Sequence, residues 1–248
     1  MSEDILAKYG GDFNRNTDIW DLFSLKGKVA IVSGGAGIYG SVISTALAEA
    51  GATVVIASRR VQNCESRAAE LRERGLMTAG MALDMTRDES IIALRDAVIE
   101  RFGGIDVVFN NAAGRAAGTA DEIQKAGFKG QTATSMDQMS RSMWEGAMAV
   151  NSTGFFKCCQ IFAETMRARG VRGAIVNISS IYGNVGPDFG IYPPGMTCPP
   201  DYAYSKAGIV NFTRYMASFY GQYGIRVNCI SPGGYFNNQP VEFLRNYE

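Results

Sequence analysis

The chain has 248 residues, with 24 Lys and Arg against 24 Asp and Glu, 46% hydrophobic and 19% charged residues. That length suits one domain around a large core, and the balanced charge excludes the single-sign field that nucleic acid or an anionic membrane surface would select. Histidine is absent, which excludes Ser-His-Asp hydrolysis, Cys-His catalysis and His-ligated zinc, so no metal site is expected and proton transfer must use another group with a displaced pKa.

Residues 1–24 read as a polar N-terminal arm, with Glu3, Asp4, Lys8, Asp12 and Arg15. The arm lacks the apolar stretch of a secretory signal. No apolar run in the chain approaches the roughly 20 residues of a membrane span. The expectation is a cytoplasmic protein without a membrane partner.

The first apolar run, Lys28-Val29-Ala30-Ile31-Val32-Ser33, stops at glycines and reads as a buried strand. Residues 41–50 read as a helix closed by Gly51, and Thr53 to Ala57 as a second strand. A charged amphipathic helix over 61–74 ends at Gly75, a weaker strand spans Met77 to Leu83, and a helix covers 88–102. Ile105 to Phe109 is a strand, and a long helix lies within 136–169. Ala174 to Ile178 is a strand, 202–221 a helix and Ile225 to Ile230 a strand. Two stretches break the pattern, 114–135 and the Pro/Gly-rich 183–201. Strands alternating with helices of this length predict right-handed βαβ units. The expected fold class is α/β, a Rossmann-type doubly wound parallel sheet, with residues 25–248 as one dinucleotide-binding and catalytic domain.

Between the first strand and the first helix stands Ser33-Gly34-Gly35-Ala36-Gly37-Ile38-Tyr39-Gly40. Glycines there let the backbone approach a pyrophosphate, and the helix N-terminus supplies free N–H groups. Ser33, Gly34, Gly35, Ile38, Tyr39 and Gly40 are therefore candidate cofactor contacts. The second strand ends in Ala57-Ser58-Arg59-Arg60, where an NAD site places an acidic residue on the ribose hydroxyls. Ser58 and Arg59 instead suit a 2′-phosphate, so NADP(H) is favoured, with NAD(H) as the alternative. The five cysteines, Cys64, Cys158, Cys159, Cys198 and Cys229, form no C-x-x-C pair and read as buried thiols.

Tyr202-Ala203-Tyr204-Ser205-Lys206 is a Tyr-x-x-x-Lys motif on a helix, so the two outer side chains share a face. Tyr204 is two residues from either and does not share it. Asn110-Asn111-Ala112-Ala113-Gly114 follows one strand, Asn177-Ile178-Ser179-Ser180 ends the next, and Arg226 to Gly233 carries the last strand into Ser231-Pro232-Gly233. In this order over about residues 25–240, these motifs resemble the short-chain dehydrogenase/reductase family, compact type, and its gluconate 5-dehydrogenase-like members. The resemblance implies a catalytic set of Ser180, Tyr202, Lys206 and Asn151. It also implies cofactor contacts from Asp84 and Met85, Asn110 and Ala112, Lys206, Pro232, Gly233 and Tyr235. A free tyrosine, with a pKa near 10, is too weak a base at neutral pH. Lys206, one turn away, is expected to favour its phenolate, together with the charge of an oxidised nicotinamide.

The chain departs from that family pattern in three places. The compact type has glycine where Ile38 stands, whereas Gly34, Gly37 and Gly40 match the spacing of the extended type. An extra stretch, about Gly186 to Pro200, carries Pro187, Pro193, Pro194, Pro199 and Pro200 and is expected to shape the substrate pocket. The chain stops soon after the nicotinamide loop, so a C-terminal lid and last strand are expected to be missing. The function implied is NADP(H)-dependent interconversion of a secondary alcohol and a ketone on a small hydroxylated molecule such as a sugar acid or polyol, for which Asp188, Tyr192, Asn237, Asn238 and Gln239 are suited. The alternatives are an acyl-thioester reductase, a non-catalytic NADP(H) sensor on the same fold, and a methyltransferase. The last predicts an acidic residue where Ser58 and Arg59 stand. A homo-oligomer, dimer or tetramer, is implied, and Phe155, Phe156, Phe212 and Phe219 are candidates for its interface or for the core.

Overall fold

Runs of Val, Ile and Ala become parallel strands when both of their faces are covered, and this sheet covers them. The computed structural model describes residues 18–114, 135–194 and 196–248. Its elements run α1 (Ile19–Leu22), β1 (Val29–Ser33), α2 (Ile38–Glu49), β2 (Thr53–Ser58), α3 (Val61–Glu73), β3 (Thr78–Ala82), α4 (Asp88–Phe102) and β4 (Val107–Asn110). After residues 115–134 come α5 (Arg141–Met148), a π-helical turn (Ala149–Gly154), α6 (Phe155–Ala168), β5 (Ala174–Ile178), two 3₁₀ turns (Ile181–Gly183 and Phe189–Ile191), α7 (Pro200–Gly221), β6 (Arg226–Ile230) and α8 (Val241–Tyr247).

All six strands are parallel in the order β3-β2-β1-β4-β5-β6, the expected doubly wound sheet. Alternate residues of each strand feed opposite cores. Ala30, Val32, Val54 and Ile56 pack with Ala48 of α2 and Ala68 and Leu71 of α3. Val29, Ile31, Val55, Val108, Ile175 and Val227 pack on the other face with α4, α6 and α7. Strand order reverses between β1 and β4, which opens a crevice at their carboxyl ends.

The predicted elements shift in three ways. α2 begins at Ile38 rather than 41, because Gly37 is extended and already serves as its N-cap. α7 starts at Pro200, whose missing N–H is no loss in a first helical turn. The single helix expected within 136–169 is divided by the π turn at Ala149–Gly154. Gly154 lets that turn sit against the segment after β3, since a Cβ there would lie 2.4 Å from the carbonyl oxygen of Met85. Residues 114–135, expected to be irregular, fall mostly outside the described residues, as does the arm before Asp18. Among the described residues no helix is long and apolar enough to cross a membrane.

Candidate active site

The cleft at the switch point has a volume of about 770 Å³ and is lined by the glycine loop, the ends of β2 and β3, and Asn111 to Gly114. That lies within the usual range for a small-molecule site of roughly 300–1,000 Å³. Gly34 has φ +64°, and a Cβ on it would stand 2.9 Å from the Ala112 Cα. A Cβ on Gly40 would stand 2.1 Å from the Gly34 oxygen, so glycine there lets α2 press against the loop. Gly37 has no side chain to cap the helix, which leaves the first N–H groups of α2 toward the cleft. A bare helix N-terminus above a glycine cradle fits a pyrophosphate. Ile38, where the compact pattern has glycine, is half-exposed and lines the cleft, so its side chain has room.

Gly34, Ile38, Tyr39, Ser58, Arg59, Asp84, Met85 and Ala112 of the predicted cofactor contacts line this cleft. Asp84 is fixed by its own turn: its carboxylate accepts from the Thr86 N–H and hydroxyl at 3.0 and 2.7 Å. Those bonds, chiefly the hydroxyl's, hold its carboxyl below the usual range, with a smaller contribution from Arg59. Four other predicted contacts are placed behind the glycine loop or in the core. Ser33 is buried, and its hydroxyl accepts from the Asn111 and Ala112 N–H groups, both at 3.1 Å, so it ties β1 to the loop after β4 instead of facing the cleft. Gly35 lies behind the loop, where a Cβ would meet the Val32 oxygen at 2.8 Å. Gly40 likewise packs the loop from behind. Asn110 ends β4 pointing into the core, where its amide donates to Asn177 at 2.9 Å. Its neighbour Asn111 takes the cleft position, because successive strand residues face opposite ways. The sequence reasoning missed Arg60, Asn63, Asn111, Gly114 and Val150 as cleft residues. Arg60 sits in the same Arg-Arg pair and could have been flagged from it.

The second cluster sits where β5 ends against α7. Ser180 is buried, and its oxygen accepts from the Tyr182 N–H at 3.3 Å. Its hydroxyl proton is thereby left for the Tyr202 phenol. Lys206 is buried and donates to the Ile178 carbonyl at 2.8 Å, with its Nζ 5.6 Å from the Tyr202 ring centroid. Ser179 donates to the Lys206 carbonyl at 2.7 Å, so strand end and helix lock together around the pair. Burial pushes the Lys206 ammonium down to about 8. Burial also raises Tyr202, against the opposing hydrogen bond from Ser180. With burial the largest influence, the Tyr202 phenol stays protonated at neutral pH in the protein alone.

Asn151 lies in the π turn and clamps the Gly114 peptide: Oδ1 accepts from its N–H and Nδ2 donates to its carbonyl, both at 2.8 Å. Its side chain thus orders the loop after β4. Tyr204 points away from the pair, 5.1 Å from Trp144 edge-on, as its helix position requires. Pro232 accepts from the Ile181 N–H at 3.0 Å, which brings the loop after β6 beside Ser180. Gly233 and Tyr235 belong to that loop and meet Tyr39, which lines the cleft.

Beyond Tyr202, the Tyr182 and Tyr192 hydroxyls pair at 2.9 Å, and burial raises the pKa of Tyr192 strongly. Cys198, held at about 11 chiefly by burial, stands near both Tyr192 and Asp201. Asp201 is 3% exposed, its Oδ1 has no hydrogen-bond partner, and burial raises its carboxyl. Asp188 and Gln239 are engaged in their own loops, on Gly190 and Tyr235 respectively. All five cysteines are free thiols, four of them buried.

Residues 28–239 match the family model for short chain dehydrogenase. A D-threitol dehydrogenase of Mycolicibacterium smegmatis is 32% identical over 210 residues, covering 85% of this chain and 71% of that protein. A gluconate 5-dehydrogenase from Burkholderia cenocepacia J2315, solved in complex with NADP and tartrate, superposes with a TM-score of 0.71 at 27% identity, over 89% of this chain and 76% of that one. An NAD+-bound xylitol dehydrogenase superposes with a TM-score of 0.69 at 29% identity, over 84% and 70%.

Proposed function

Because the chain belongs to the short chain dehydrogenase family, we propose that it is an oxidoreductase interconverting a secondary alcohol and a ketone on a sugar acid, polyol or related hydroxylated molecule, with NADP(H) preferred over NAD(H). The observation that carries this reading is the convergence of Ser180, Tyr202 and Lys206 at the strand end beside a cleft built for a dinucleotide. The similarity to a D-threitol dehydrogenase, a gluconate 5-dehydrogenase and a xylitol dehydrogenase supports the substrate class.

A nicotinamide dinucleotide supplies or accepts the hydride when bound. Gly34, Ile38 and Tyr39 would hold its pyrophosphate, Arg59 its 2′-phosphate, Asp84 and Met85 its adenine end, and Pro232 and Gly233 its far end. Ser180, whose hydroxyl meets Tyr202 in the protein alone, would turn its proton to the substrate oxygen when substrate binds. Tyr202 gives a proton to that oxygen in reduction and removes it in oxidation. Lys206 sits charged below about pH 8 and favours the phenolate as proton transfer proceeds. Asn151 keeps Gly114 and its loop in place rather than touching the reacting atoms.

We also propose a homo-oligomer through α6 and α7. Phe212, Tyr215 and Phe219 stack in a row along α7, and Tyr215 and Phe219 are 61% and 44% exposed. A second copy of the same face would cover them.

The test is the nicotinamide absorbance change with NADP⁺, NADPH, NAD⁺ and NADH against polyols, sugar acids and their keto forms. Turnover is expected, and Tyr202→Phe is expected to lower it by about 10²–10⁴-fold while sparing nucleotide binding. Tight NADPH binding without turnover on any pair would instead favour the sensor.

A further inference from the structure

In the order β3-β2-β1-β4-β5-β6, strands β1 and β6 lie three strand spacings apart, roughly 14 Å. The loops that leave them nevertheless touch. Tyr39, at the second position of α2, donates to the Gly233 carbonyl at 3.5 Å, and its ring lies 5.2 Å from that of Tyr235 at 54°. The contact therefore spans the carboxyl ends of β4 and β5, which lie between the two strands. Each side of the bridge is braced. Gly40 fixes the start of α2 against the Gly34 oxygen. On the other side the Tyr247 hydroxyl accepts from the Gly234 N–H at 2.7 Å, and Tyr247 stacks on Phe243, which packs on Tyr192. The soft link is the exposed pair itself, with Tyr39 at 36% and Tyr235 at 47% exposure.

We propose that Tyr39 and Tyr235 form a clasp that closes over the dinucleotide crevice and limits how fast the nucleotide leaves; this rests on the dinucleotide reading above. The proposed dinucleotide route leads from the cleft, which Tyr39 lines, to Ser180, beside which the bond from the Ile181 N–H to Pro232 holds the loop that carries Tyr235. A long ligand laid along that route passes under the bridge, so it enters or leaves when the rings part. An aromatic contact of this size changes a rate by roughly two- to tenfold. The clasp also joins the phosphate loop to the aromatic row through Tyr247, Phe243 and Tyr192, so its closure and the substrate wall are mechanically connected.

The experiment follows release of NADPH by stopped-flow fluorescence after a chase with excess NADP⁺, in the unaltered chain, Tyr39→Ala, Tyr235→Ala, the double variant and Tyr39→Phe. A second readout, hydrogen exchange of residues 233–240 without nucleotide, is taken on the same proteins. Each Ala variant is expected to release NADPH about two- to tenfold faster. The double variant should be no faster than the singles, because all three remove one shared contact. Tyr39→Phe should retain most of the slow release, and exchange in 233–240 should rise in Tyr39→Ala. Unchanged release, effects that multiply in the double variant, or unchanged exchange would overturn the clasp. Failure of the unaltered chain to bind either nucleotide would overturn the dinucleotide reading itself, and the proposal with it, whatever the exchange shows.

Discussion

At Lys206 the chemistry depends on a charge that burial opposes. Its pKa of about 8 lies below the ordinary 10.5, so the folded chain releases this proton before the unfolded chain does. Stability linked to Lys206 therefore rises between about pH 8 and 10.5, where the unfolded state binds the extra proton. Lys206→Met removes that dependence. The difference in unfolding free energy between the two proteins should drift in favour of the native chain as pH rises through this window, and a pH-independent difference would contradict the burial argument. In the proposed mechanism the same ammonium acts in its charged form, so kcat/KM for ketone reduction is expected to fall above about pH 8. In the proposed reading Arg59 carries the cofactor choice. Replacing it with Glu should weaken NADPH binding by roughly tenfold or more, with little loss for NADH, since a charge-assisted bond to a phosphate becomes a repulsion. Fluorescence titration with the two nucleotides reads the ratio; an unchanged ratio would move the 2′-phosphate contact to Arg60 or elsewhere.

Among the elements, the joint between β5 and α7 governs the site. The 3₁₀ turn Ile181–Gly183 crosses α7 so closely that a Cβ on Gly183 would lie 2.5 Å from the Ser179 hydroxyl and 2.6 Å from the Lys206 carbonyl. Gly183→Ala must therefore break the Ser179 to Lys206 bond or push α7 away. The expected outcome is a folded protein with kcat reduced at least about tenfold, since small misplacements of reacting groups are costly. Circular dichroism with initial rates separates this from unfolding, and full activity would show that the joint yields freely. Beneath the joint, the Asn177 amide donates to Thr213 at 3.0 Å and accepts from Asn110, so β4, β5 and α7 share one buried polar chain.

Across the whole molecule, the carboxyl ends of the strands carry both halves of the proposed site. The crevice at the switch point is the proposed cofactor side. The proposed substrate side lies beyond Tyr202, where the Tyr182 and Tyr192 hydroxyls pair and the proline-rich stretch forms the 3₁₀ turn Phe189–Ile191. The helix face of Phe212, Tyr215 and Phe219 stands apart from both. Tyr215→Glu with Phe219→Glu is expected to yield a smaller species by light scattering, at unchanged secondary structure. The same mass as the native chain would place the subunit interface elsewhere. Phe155, weighed as an interface residue, is instead buried against Phe212 in the core, which its helix period alone did not decide.

The alternation of Val-rich runs with helical periods was enough to determine the doubly wound sheet, because a parallel strand must be apolar on both faces and that pattern survives without knowing any partner. The Tyr-x-x-x-Lys spacing likewise determined which tyrosine faces Lys206, since helix geometry is local. What only the tertiary structure decided lies in contacts between segments far apart in the chain. Asn110 faces the core and Asn111 the cleft because β4 is packed at a given register between β1 and β5. Asn151 grips Gly114 because a π turn rotates it there. Tyr202 and Lys206 are shifted by burial beneath β5 and its turn, and the meeting of Tyr39 with Tyr235 spans 196 positions of sequence that carry no local trace of it. Burial and long-range packing are properties of the closed fold, and no window of neighbouring residues holds them.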